Sequence, residues 1–120
     1  GLESRGFPLG CTLAAELNAG VVVARKPGKL PGEVIEQTSQ KEYGEDKICM
    51  SSDAISCDDV LLLHDDLLAT GGTMKAVYDL VKRFNPKKIY INFIIELTIE
   101  GLHGRDILDP DVEITTLLRI

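Results

Sequence analysis

Apolar and polar positions recur along the chain with two different periods, and the period marks the element. Leu9, Leu13, Ala14 and Leu17 share one helical face after Pro8, and Asn18 with Gly20 supplies the stop. The β-branched run Val21, Val22, Val23 then reads as a buried strand. Residues 26–44 mix prolines, glycines and charges without a sustained period, so they read as a mobile loop or hairpin in which 33–39 can pair as an edge strand. Val60, Leu61, Leu62 and Leu63 form the short continuous apolar run of a central parallel strand, which is expected to end at His64, Asp65 and Asp66. Met74, Val77, Tyr78 and Val81 recur at i, i+3, i+4 and i+7 with Lys75, Asp79, Lys82 and Arg83 opposite, predicting a helix over 73–84 that Asn85 and Pro86 close. Residues 88–97, rich in Ile, Tyr and Phe, return as a strand, and 112–118 supply a last one. Strand, turn, helix, strand is a βαβ crossover, so the prediction is one α/β domain with a mainly parallel sheet flanked by helices.

Composition narrows what such a domain can do. The 120 residues are 44% apolar, enough for a core without metal or disulfide staples. Nineteen acidic against thirteen basic residues leave a formal charge of −6, the wrong sign for coating a nucleic-acid backbone. Glu16, Asn18, Arg25, His64 and Asn92 interrupt the apolar stretches before any reaches the roughly 20 residues of a membrane helix. No nucleic-acid or membrane partner is expected, and the chain is expected to be soluble. Cys11, Cys49 and Cys57 are odd in number, widely spaced and form no CxxC pair, which favours a reducing, cytoplasmic setting and small packing residues over nucleophiles. His64 and His103 have no metal-ligand spacing and read as a strand-end and a loop residue. No charged and apolar leader opens the sequence, and a start on Gly1 rather than Met is expected not to be the translational one.

The chemistry concentrates in LLLHDDLLATGGTM, residues 61–74. Two adjacent carboxylates, Asp65 and Asp66, precede a turn of Ala69, Thr70, Gly71, Gly72 and Thr73 that runs straight into a helix. Glycines let backbone N–H groups turn toward an anion, the helix N-terminus adds partial positive charge, and threonines add hydroxyl donors, so a phosphate fits. Carboxylates cannot hold that phosphate, but they accept hydrogen bonds from sugar hydroxyls or help organise a hydrated Mg²⁺. Together they point to a phosphorylated ribose, whereas a plain glycine turn beside two solvated aspartates needs no such combination. A triphosphatase P-loop is excluded, since no GxxxxGK[ST] occurs. Arg25, Lys26 and Lys29 crowd three cations into five residues, either an anion site or a solvated charge run.

The same segment resembles the phosphoribosyl pyrophosphate (PRPP) motif of type I phosphoribosyltransferases. GLESRGF at 1–7, RKPGKLPG at 25–32 and KEYG at 41–44 narrow the resemblance to the adenine phosphoribosyltransferases, and IELTIEGLHGRD at 95–106 is similar to that family's late strand and turn. The resemblance runs from the first residue to the last. It implies a Rossmann-like type I phosphoribosyltransferase fold and purine salvage: transfer of phosphoribosyl from PRPP to adenine, giving AMP and pyrophosphate, with Mg²⁺ brought by PRPP rather than by direct protein ligands. It further implies that Asp65 and Asp66 anchor the ribose, Ala69, Thr70, Gly71, Gly72 and Thr73 the 5′-phosphate, and a loop at Ser4, Arg5 and Gly6, with Arg25, Lys26 and Lys29, the pyrophosphate. Glu42 and Tyr43 match the family's catalytic loop, with Glu42 as acid/base group, Tyr43 in the closing loop and Arg5 gripping phosphate; Leu97 matches a base contact.

Departures from the family are expected to matter as well. Family chains carry a further N-terminal segment, with capping helices, adenine contacts and a sheet strand leading into the equivalent of Gly1. The 120 residues are therefore expected to be a core domain, N-terminally incomplete, with unpaired strand edge and apolar surface. Pro8, Cys11 and His64 stand where the family has an apolar residue, a proline and an aliphatic. The family commonly forms homodimers. Rival readings are a noncatalytic PRPP- or nucleotide-sensing regulator on the same scaffold and an inactive truncated chain.

Overall fold

Three parallel strands and one amphipathic helix set the frame. The computed structural model describes residues 3–41, 44–99 and 101–120. In chain order these form α1 (Glu3–Glu16), β1 (Val34–Lys41), β2 (Gly44–Ser51), β3 (Val60–Leu68), α2 (Gly72–Lys82), β4 (Lys88–Glu96), a 3-10 turn (Gly104–Ile107) and β5 (Glu113–Arg119). β3, β4 and β5 lie in that order as a parallel sheet, and β1 and β2 form a separate antiparallel hairpin.

The helix expected over 73–84 is α2, and its apolar face is buried as the period requires. Ala76 and Leu80 are buried too, because α2 lies between the sheet and the hairpin and is covered from both sides. Leu63, Ile91 and Phe93 meet it from the sheet, while Ile48 and Met50 come from β2. Burying side chains of this size stabilises by about 1.5–3 kcal/mol each, so this layer carries most of the cohesion. Asn85 closes the helix region with φ 51°, a left-handed residue that asparagine tolerates.

Several expectations need correction. α1 begins at Glu3 rather than after Pro8, so Ser4, Arg5 and Gly6 stand in a helical turn and not in a loop. Pro8 removes a rung from that helix, but the turn before it is held by packing, with Gly6 against Asp65 and Phe7 beneath Arg25. β3 does not stop at His64 but runs through both aspartates to Leu68, because the ladder with β4 continues through Asp65, Leu67 and Leu68. Val21, Val22 and Val23 form no strand: Val21 is 47% exposed, and bridging begins only at Ala24 and Arg25, with Arg25 in an isolated bridge to Cys49. A strand needs a ladder of successive pairings, and among the described residues these valines lie on none. The region read as a loop or hairpin is a hairpin, longer than expected, with a second strand over Gly44–Ser51.

β3 pairs with β4 on one side and with no strand on the other among the described residues. A cavity of about 360 Å³ opens along that edge, walled by Leu13 of α1, by Leu17 just past its end, by Val22, and by Leu61, Leu62 and His64 of β3. Val60, Leu62, Tyr90 and Leu117 stay exposed on the face away from α2. No helix among the described residues is long and apolar enough to cross a membrane.

Candidate active site

Crossover connections in a parallel sheet gather at the carboxyl ends of its strands, and the glycine turn predicted to hold phosphate lies there. β3 ends on buried Leu68, the chain passes Ala69 and exposed Thr70, and α2 begins at Gly72. The residue between is Gly71, at φ 84° and ψ −3°, the left-handed region that only glycine enters cheaply. No side chain caps α2 and no acidic residue occupies its first turn; its first intrahelical bond runs from Lys75 N–H to Gly71 C=O at 2.9 Å. The N–H groups of a helix's first turn have no intrahelical acceptor, and Thr70 Oγ1 reaches Gly72 N–H only at 3.5 Å. An uncapped, dipole-focused set of donors is thus aimed out of the sheet's carboxyl edge.

The turn is backed by a second chain segment. A Cβ on Gly71 would stand 2.5 Å from the Gly104 carbonyl oxygen and 3.1 Å from Ile107 Cγ1. A Cβ on Gly104 would overlap the Ala69 carbonyl and stand 2.8 Å from Leu68 Cδ1 and 3.0 Å from the Gly71 nitrogen. Two glycines therefore let two backbones touch, as close approach requires. The 3-10 turn carrying Gly104 is fixed at both ends. Arg105 Nη2 and Nε donate to the two oxygens of Glu96 at 2.7 and 3.1 Å, and Nη1 to the Ile114 carbonyl at 3.3 Å. At the other end Tyr78 donates its phenol to Asp109 Oδ2 at 2.8 Å.

Glu96 is 3% exposed, yet its carboxyl is held below the usual range. The Arg105 hydrogen bonds are the main cause; burial pushes the other way and loses, and Arg119 and Thr116 add to the lowering. Tyr78 is pushed up to about 12, first by burial and then by its bond to Asp109. Neither Glu96 nor Arg105 was singled out from the sequence. IELTIEGLHGRD places them nine residues apart with no helical or strand period linking them, so only the fold shows that they pair.

Asp65 and Asp66 are half-buried within β3, and Asp66 N–H donates to Asp65 Oδ1 at 2.9 Å. A Cβ on Gly6 would stand 3.1 Å from that same oxygen, so the first turn of α1 lies directly beside Asp65. The backbone of Ser4 and Arg5 belongs to that turn; their side chains lie outside the described set. Arg25 joins the same corner, its guanidinium 5.4 Å over the Phe7 ring with Nε buried and unpaired. Such an orphaned donor fits an anion. Lys26 and Lys29 follow on an exposed turn. Leu97 comes to the phosphate turn: its N–H donates to the Leu68 carbonyl at 2.9 Å, setting it just past β4 at the sheet's carboxyl edge. Glu42 and Tyr43 lie outside the described residues, between the end of β1 and the start of β2.

His64, expected at a strand end, is instead 2% exposed inside β3. Its Nδ1 lies 2.9 Å from Asn92 Oδ1, and Asn92 Nδ2 donates to Thr115 Oγ1 at 2.9 Å, a polar ladder across three strands. Cys49 is buried while Cys11 and Cys57 are exposed, and all three are free thiols. Among the described residues no three His, Cys, Asp or Glu side chains gather as metal ligands.

Comparison with known proteins agrees with this geometry. The phosphoribosyl transferase domain family matches residues 1–108. An adenine phosphoribosyltransferase of Bacteroides thetaiotaomicron is 56% identical over 120 residues, all of this chain and 67% of the relative. The crystal structure of the Rhodothermus marinus adenine phosphoribosyltransferase superposes with a TM-score of 0.94 at 48% identity, covering 100% of this chain and 67% of that one. The Saccharomyces cerevisiae adenine phosphoribosyltransferase, solved with an imino-altritol bisphosphate and adenine, superposes at 0.89 with 42% identity over 98% of this chain and 65% of that one.

Proposed function

This chain belongs to the adenine phosphoribosyltransferases within the phosphoribosyl transferase family, and from that premise we propose how its residues divide the transfer of phosphoribosyl from PRPP to adenine. The observation that carries the reading is the uncapped start of α2, entered through left-handed Gly71 just past a strand bearing Asp65 and Asp66. It offers backbone donors to a 5′-phosphate and carboxylates to ribose hydroxyls from one strand–turn–helix unit.

In this reading Ala69, Thr70, Gly71, Gly72 and Thr73 cradle the 5′-phosphate, while Asp65 and Asp66 accept from the ribose hydroxyls. Ser4, Arg5, Arg25, Lys26 and Lys29 hold the pyrophosphate, and the unpaired Arg25 Nε beside α1 is the direct support for that end. Attack of adenine N9 on ribose C1 forms the new C–N bond as the bond to pyrophosphate oxygen breaks, and the N9 proton passes to Glu42. Charge develops as cation on the sugar and anion on the leaving group, so fixed donors at the two ends lower the barrier without reorganising. Tyr43 in the closing loop excludes water, and Leu97 packs against the base. Mg²⁺ would come with PRPP rather than on direct protein ligands, and the hard carboxylates of Asp65 and Asp66 would help to organise its hydration water. When bound, the ion neutralises pyrophosphate charge. The reading carries with it a homodimer and a cytoplasmic setting.

The test incubates this chain and a Glu42→Ala variant with PRPP, Mg²⁺ and adenine, hypoxanthine or guanine, and identifies products by mass spectrometry. AMP from adenine alone, lost in the variant, is the expected result. Unchanged turnover in Glu42→Ala removes that residue from the mechanism. PRPP binding without turnover of any base replaces catalysis with sensing or an inactive truncated chain.

A further inference from the structure

We propose that Arg105 is a positioning residue for the phosphate turn: by forking onto buried Glu96 it seats the Gly104 backbone against Gly71 and so fixes the direction of the first N–H groups of α2. The inference rests on the reading of residues 69–73 as the phosphate cradle.

Four observations carry it. The Gly71 conformation has no local cause, since no side chain caps the helix and the Thr70 hydroxyl is 3.5 Å from the nearest amide. What stands against it is Gly104, close enough that neither glycine has room for a methyl group. Gly104 is followed at once by Arg105, whose two parallel bonds to Glu96 fix both position and orientation as a single lysine contact cannot. Glu96 is the last residue of β4, next to Leu97, whose N–H bonds the Leu68 carbonyl at the end of β3. The fork therefore ties the phosphate turn to the strand ends on both sides of it. A carboxylate with a side chain 5% exposed is costly to bury unless it is paired, and here the pairing serves the one turn that must present donors to an anion.

The measurement is amide chemical-shift titration of the chain with ribose 5-phosphate, read at Gly71, Gly72 and Thr73. It is made on the parent, Arg105→Lys, Glu96→Gln and Val81→Ala, all at a temperature where circular dichroism shows each folded. Arg105→Lys keeps the charge and loses the fork; Glu96→Gln keeps the shape and loses the charge; Val81→Ala opens a core cavity away from the turn. The expected result is parent binding at these amides, weakened about tenfold in Arg105→Lys and Glu96→Gln and unchanged in Val81→Ala. If either fork variant does not fold, the other decides. Equal affinity in a folded fork variant and the parent overturns the positioning role alone. Equal weakening in Val81→Ala also overturns it, since loss of stability then explains the effect. No shift at these amides in the parent overturns the phosphate-cradle reading, and this inference with it.

Discussion

Gly71→Ala separates the cost of a backbone conformation from the cost of a close approach, because the chain supplies its own control. Gly71 and Gly28 have φ of 84° and 83°, but a Cβ on Gly28 meets nothing within 4 Å, whereas on Gly71 it meets the Gly104 carbonyl oxygen at 2.5 Å. An L-residue in the left-handed region costs about 1–2 kcal/mol, so Gly28→Ala should lose that much. Gly71→Ala should lose the same plus about 1–3 kcal/mol for overpacking against backbone that cannot swing aside. Its total of about 2–5 kcal/mol is a large share of the 5–15 kcal/mol typical of a domain. Urea denaturation of the parent and both variants, compared at equal slope, measures the difference. Equal losses in the two variants would refute the argument that Gly104 braces the turn, because conformation alone would then account for both.

Glu96 has a folded pKa below its usual value, so its stabilisation is full above the ordinary carboxylate range and drains as pH falls through the folded value. The stability gap between the parent and Glu96→Gln should therefore shrink below about pH 5, and a gap constant from neutral to acid pH would contradict the Arg105 pairing. Tyr78, raised from 10.0 to about 12, works in the opposite direction: its contribution is whole below pH 10 and is lost as pH rises toward 12. The ceiling is about 3 kcal/mol, and Tyr78→Phe should abolish that alkaline loss; a parent and variant with the same alkaline slope would show the Asp109 bond to be idle. Calorimetric titrations at rising salt should weaken pyrophosphate, met by exposed lysines, more steeply than ribose 5-phosphate, met by backbone amides; parallel salt slopes would refute that division.

The parts of the fold readable in the sequence are those whose pattern has a local cause. Met74, Val77, Tyr78 and Val81 repeat with the helical period, and α2 follows; the Ile-rich 88–97 run gives β4 to within a residue. The glycine turn was readable for the same reason, since Gly71 is needed by the φ it adopts. Patterns that depend on a distant partner misled. Val21, Val22 and Val23 look like a strand but find no ladder, and His64 looks like a strand end but is buried under α1 against Asn92. Gly44–Ser51 carries glycine, charges and one short apolar run, Ile48 to Met50, without alternation, and becomes a strand only because β1 lies opposite. The Glu96–Arg105 fork was the least readable, since two charges nine residues apart have no periodic signature.

With residues 69–73 read as the phosphate cradle, a chain of net charge −6 must avoid repelling a dianionic ligand, and the fold answers with placement rather than composition. No acidic residue stands in the first turn of α2; Asp79, in the helix's second half, is drawn to Lys75 at 3.0 Å, and Lys82 lies in the last turn. Asp65 and Asp66 are set back along β3 from the turn, and Glu96 is neutralised behind it by Arg105 and Arg119. That leaves the helix dipole and its uncapped amides as the dominant local field at the turn, a source of positive potential that needs no net positive charge. Because backbone amides cannot reorient as lysines can, their value depends on the turn holding still. The rigidity supplied by Gly104 and its charged clamp is thus the counterpart of an acidic composition.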